Sequence, residues 1–65
     1  MSKLKYTAKV FLGDDEFAHQ DGDDIEHLNE WMLIQAQGKF GDVHGEIIEN
    51  HTQKVVRRFR RAPPD

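Results

Sequence analysis

The chain reads as an α+β domain of order ββαββ: a four-stranded antiparallel sheet with one helix packed on one face. Three observations predict this. Residues 3–12 alternate apolar and polar with a period of two. Residues 24–37 carry an apolar stripe of helical period between an acidic start and a glycine. Residues 43–49 and 54–61 are two strand-like runs that flank a polar turn.

In the first run Leu4, Tyr6, Ala8, Val10 and Leu12 share one face, and Lys3, Lys5, Thr7, Lys9 and Phe11 share the other. This is the pattern of a half-buried strand. Gly13-Asp14-Asp15 supplies the turn, and a short second strand over about residues 16–20 folds back, with Phe17 and His19 alternating against Glu16, Ala18 and Gln20. Asp21-Gly22-Asp23-Asp24 then breaks the strand and opens the helix. Asp23 is the expected N-cap, with Glu26 three residues on as its capping-box partner. The helix runs over about residues 24–37 and stops at Gly38 in the C′ position. Ile25, Leu28, Met32 and Ala36 form its inward stripe, with Trp31 on the shoulder.

The loop Lys39-Phe40-Gly41-Asp42 leads to a second hairpin that turns at Asn50-His51-Thr52-Gln53. A plain two- or four-residue loop pairs Ile48 with Val55 and Glu46 with Arg57. A three-residue loop with a bulge instead gathers Val43, Ile47, Val55 and Phe59 on one face, and its more apolar inner face makes it the preferred register. The expected core is Leu4, Tyr6, Val10, Ile25, Leu28, Met32, Ile47, Val55 and Phe59. A right-handed crossover that places the most apolar strand centrally gives the order 2-1-3-4, preferred over 1-2-4-3.

The length of 65 residues allows one domain, with Ala62-Pro63-Pro64-Asp65 expected as a disordered tail. The chain has no cysteine, which excludes disulfides, thiolate zinc sites and thiol catalysis. Its longest apolar run, Trp31-Met32-Leu33-Ile34, is far too short for a membrane span, so a cytoplasmic domain with no membrane partner is expected. The net charge of −3 is unevenly spread: residues 1–33 hold three lysines against eight acids, while residues 34–65 hold six basic residues against four acids.

His19, His27, His44 and His51 lack any zinc-ligand spacing, and Ile25 stands where a calcium loop needs an oxygen, so no metal or cofactor is expected. Ser2 is the only serine, Thr7 and Thr52 have no evident activating base, and Gly38-x-x-Gly41 lacks the Lys-Ser/Thr of a phosphate loop. No catalytic residue is assigned and no enzyme is expected. The ββαββ order and the run Ile47-Ile48-Glu49-Asn50-x-Thr52 are too general to carry a role from any family.

Two features point to binding. Leu33 and Ile34 cannot face inward together with the helix stripe. With Trp31 and Phe40 they compose a protein-binding patch, since apolar patches with an aromatic anchor mark interfaces. Trp31 could equally plug the side of the core. The leading expectation is a non-enzymatic protein-binding module: a small inhibitor, assembly or accessory protein of the kind phages and mobile elements carry. Homodimer formation through the outer helix face or a sheet edge fits the same pattern. The alternative is a single-stranded nucleic-acid binder using Lys5, Lys9, Phe11, Arg58 and Arg60 on the outer sheet face, where cations hold phosphates and a ring stacks on bases. Cations on outer strands also serve simply to block sheet aggregation.

Overall fold

The computed structural model describes residues 4–61, which form β1 (Tyr6–Leu12), β2 (Asp15–Gly22), α1 (Ile25–Ala36), β3 (Val43–Glu49) and β4 (Lys54–Arg61). The expected tail at 62–65, and Lys3 of the first run, lie outside the described residues. All four strands join one sheet in the order β2-β1-β3-β4, with every neighbouring pair antiparallel and α1 packed on one face. The ββαββ architecture and its strand order are as the alternation and the crossover rule require.

β1 starts later than the alternation suggests. The Lys5 N–H donates to Asp23 Oδ1 at 2.9 Å and the Lys5 carbonyl accepts from the Asn50 N–H at 2.8 Å, so its backbone is spent on two turns. β2 is longer than expected because Asp21 and Gly22, expected to break it, still pair with Thr7 and Tyr6; it also carries a bulge, with Val10 facing Ala18 and Phe11 facing Glu16 and Phe17 as the extra residue. The bulge turns Phe17 onto the core, whereas His19 stays on the outer side opposite Lys9, so these two do not share a face.

The helix cap differs from the sequence reading by one residue. Asp24, in extended conformation, accepts from the Glu26 N–H at 3.0 Å, and Asp23 is the residue that binds back to β1. An aspartate at either position can reach a free helix N–H, and the tie from Asp23 to Lys5 decides between them. At the other end Gly38 takes φ +80, the left-handed conformation expected of it, and the Lys39 N–H donates to the Ala36 carbonyl at 3.2 Å.

The core consists of Ala8, Val10, Leu28, Met32, Ala36, Val43 and Ile47, with Tyr6, Phe17, Ile25, Trp31 and Phe59 packed around it. Gly45 lies opposite both Val10 and Phe59. A Cβ there would meet the Phe59 ring at 2.5 Å and the Met32 sulfur at 3.1 Å, so the missing side chain is what admits the ring over β3.

The second hairpin combines the two registers weighed above. Glu49 pairs with Lys54 across the four-residue loop and Ile48 pairs with Val55; a bulge at Val56 then shifts the ladder so that Glu46 faces Arg58 and Gly45 faces Phe59. Phe59 therefore joins Val43 and Ile47 on the helix side, as the preferred register requires. Val55 does not: it pairs with Ile48 on the outer side and is exposed. Leu4, also expected in the core, is exposed as well. Val55 is lost because it faces away from the helix, and Leu4 because it precedes the first strand.

Candidate functional site

Two solvent-facing surfaces carry the candidate residues, one on each side of the molecule. On α1 the buried positions Leu28, Met32 and Ala36 define the inward direction. At 100° per residue Ile34 points almost opposite to them and Leu33 to one flank. Ile34 is 60% exposed and Leu33 47%. Trp31 lies on the other shoulder, half-buried against the core, one turn before Ile34. Its packing holds the helix in place and leaves part of the ring beside the outward face.

Phe40 follows in the loop after α1 and is 90% exposed. Its neighbour Lys39 turns back, with Nζ 5.0 Å from the centre of the Phe17 ring, and the Lys39 carbonyl accepts from Arg61 Nη2 at 2.8 Å. Arg61 Nη2 also donates to the Ala36 carbonyl at 2.7 Å, a second bond beside the one from the Lys39 N–H. The loop is thus pinned just before Phe40, and Asp42 after it is held by Arg60 and by the Gly13 N–H at its carbonyl, while the ring itself is exposed. The outward flank of α1 and this loop present Leu33, Ile34 and Phe40 on a fixed frame, with Trp31 as its inner brace.

The outer side of the sheet is built from cross-strand rows. One runs Glu16, Phe11, His44, Arg60; the next runs His19, Lys9, Glu46, Arg58. In the first row the Phe11 and His44 rings stack with centroids 5.2 Å apart and planes 12° apart. Arg60 makes a two-pronged bond to Asp42, Nε to Oδ1 at 3.0 Å and Nη2 to Oδ2 at 2.9 Å. The Arg60 guanidinium, and to a lesser degree His44, hold the Asp42 carboxyl below the usual carboxylate range against a smaller opposing effect of desolvation. The Arg60 guanidinium is held charged in return. His44 Nδ1 is shielded from solvent, lies 3.9 Å from Asp42 Oδ1 and has no hydrogen-bond partner among the described residues.

In the second row Glu46 sits directly between Lys9 and Arg58, and opposite charges at facing positions attract. Lys5 does not join this surface as a strand residue, because it precedes β1. The structure therefore brings Lys9, Phe11, Arg58 and Arg60 onto one face, as expected, but interleaves them with Glu16, Glu46 and Asp42. Alternation along β3 in the 2-1-3-4 order already puts His44 and Glu46 between these cations, but it gives no sign of the Arg60–Asp42 bond, because Asp42 lies in the loop before β3. The stacking of Phe11 on His44 depends on the exact register of β1 against β3, which alternation leaves open.

Among the described residues no three His, Asp or Glu side chains converge so as to hold a metal ion, and no helix is long and apolar enough to cross a membrane. By its fold the molecule is a small ββαββ α+β domain with the helix on one face. No family model, curated protein or solved structure matches the chain.

Proposed function

We propose that the chain is a non-enzymatic protein-binding module that docks another protein on the outward flank of α1 and the loop that follows it. The observation that carries this reading is the exposure of Leu33, Ile34 and Phe40 on a helix and loop fixed by Trp31, Lys39 and Arg61. Exposed apolar side chains on a rigid frame lose little conformational freedom on binding, and covering them releases water at about 25 cal/mol per Å² of apolar surface. An inhibitor, an assembly factor or an accessory subunit would each use such a surface.

The test is affinity capture from the native host, comparing the parent chain with Ile34→Asp and with the Lys9→Ala/Arg58→Ala double variant. A partner retained by the parent and the double variant but lost by Ile34→Asp is the expected result. A partner lost only by the double variant would move the site to the sheet.

The stacked Phe11–His44 pair favours a second reading, in which the sheet face binds single-stranded nucleic acid by stacking bases on the rings. Arg60 is already committed to Asp42 and the carboxylate of Glu46 stands between Lys9 and Arg58, which weakens the face as a phosphate track. Titration with single-stranded DNA and RNA separates the readings. Polyanion binding would fall steeply with log salt, by about 0.7 in slope for each phosphate contact, whereas an apolar interface would change little.

A further inference from the structure

The two edges of the sheet carry opposite charge. β2, at one edge, holds Asp15, Glu16 and Asp21 and no lysine or arginine. β4, at the other, holds Lys54, Arg57, Arg58, Arg60 and Arg61 and no acid. Arg57 is compensated by Glu26 at 3.1 Å and Arg60 by Asp42 at 2.9 Å, which leaves Lys54, Arg58 and Arg61 to set the sign of the β4 edge. An edge strand exposes unpaired N–H and C=O groups that template another strand. Like edges meeting here would set cations against cations or acids against acids, so the pattern opposes β4–β4 and β2–β2 pairing. It does not oppose β4 pairing with β2.

We propose that copies of this chain associate head to tail, with β4 of one copy adding antiparallel to β2 of the next. The strand order permits it: in β2-β1-β3-β4, with every pair antiparallel, β4 runs opposite to β2, so the next copy continues the sheet with its helix on the same face. The bulges suggest the register. Beyond Val56, Arg57–Arg61 is regular, and beyond Phe17 so is the stretch from Ala18 to Gly22, giving two uninterrupted segments of equal length. Laid antiparallel, they place Arg58 opposite Asp21, both on the outer side, and Phe59 opposite Gln20, both on the helix side. Arg58 makes no ion pair with a described residue inside its own chain, so its charge is available to the neighbour.

This contact uses the sheet edges and is independent of the α1 surface. Because it joins two different edges it does not close on itself, and mass should grow past a dimer as concentration rises. The test is sedimentation of the full chain up to about 1 mM, at about 10 mM salt, where charges act over about 30 Å, and at about 1 M, where they act over about 3 Å. Concentration-dependent growth at low salt, reduced at high salt, is expected.

Arg58→Glu and Asp21→Lys should each weaken association by about fivefold, the scale of one exposed ion pair. An equimolar mixture of the two variants should recover it, since every alternating contact is then complementary. Circular dichroism of each variant confirms that the fold is kept, and Ile34→Asp should leave the association unchanged. A chain monomeric at every concentration in low salt would overturn the proposal. So would a mass that stops at two, or variants that fail to recover on mixing.

Discussion

The solvent side of α1 and the solvent side of the sheet are both exposed, yet they differ in what their side chains still lack. On the sheet, Arg60 has Asp42, Phe11 has His44 and Glu16 lies 3.5 Å from His19, while Glu46 faces both Lys9 and Arg58 and Arg58 keeps no ion pair with a described residue. On the helix flank Ile34, Leu33 and Phe40 meet mainly water. A surface most of whose polar groups are matched within the chain gains little by exchanging those partners for an external one, because desolvation offsets much of the new attraction. An apolar surface has no such competition. Exposure alone therefore does not rank two candidate surfaces. What ranks them is the interaction left unmade.

The two sides of α1 itself should differ most. Leu28 is 2% exposed and packs against Gly22, so Leu28→Ala should cost about 2–5 kcal/mol, enough to unfold most of a 65-residue chain in a urea titration. Gly45→Val forces branched carbons into the Phe59 ring and should cost about 1–3 kcal/mol, read in the same titration. Asp24→Ala removes the cap and should cost about 1 kcal/mol, with faster hydrogen exchange at the Glu26 amide. The outward residue should behave differently. Ile34→Asp should change stability by less than about 1 kcal/mol, most of it from an acid near the negative end of the helix. Ile34→Lys, which suits that end, should be closer to neutral, and both should lose the partner. An Ile34 variant as unstable as Leu28→Ala would place this residue in the fold rather than on a docking surface.

The smallest expected effect is on the sheet side. Asp42 has a depressed carboxyl pKa in the folded chain, so its bond to Arg60 adds stability above the ordinary carboxylate value, and that contribution is lost as pH falls through the lower folded value. The pair is exposed, so the amount is modest. Comparing the parent with Asp42→Asn should show a stability difference at neutral pH that narrows in strong acid. A difference unchanged with pH would mean that the ionised carboxylate of Asp42 is not what stabilises the pair.

Much of the fold was legible because period and punctuation are local. β3 and β4 begin and end at the expected residues, and the stripe Leu28, Met32, Ala36 is the buried one. The misses came from contacts between distant segments. The cap moved from Asp23 to Asp24 because Lys5, far along the chain, claims Asp23. Val55 left the core because a bulge at Val56 let the turn keep one register while Phe59 kept the other. Of the candidate sites, the outward direction of Ile34 followed from helical spacing alone. Glu46 between Lys9 and Arg58 followed from strand order, but the Arg60–Asp42 bond did not, since Asp42 belongs to the loop before β3.

The most direct check on the difference between the two surfaces is residue-resolved: amide and methyl chemical-shift changes in the labelled chain as the captured partner protein is titrated in. The expected result is a set of shifts centred on Leu33, Ile34 and Phe40 that persists at high salt, with Phe11, His44 and Arg58 quiet. Shifts centred on Phe11, His44 and Arg58 that fade as salt rises would contradict the account.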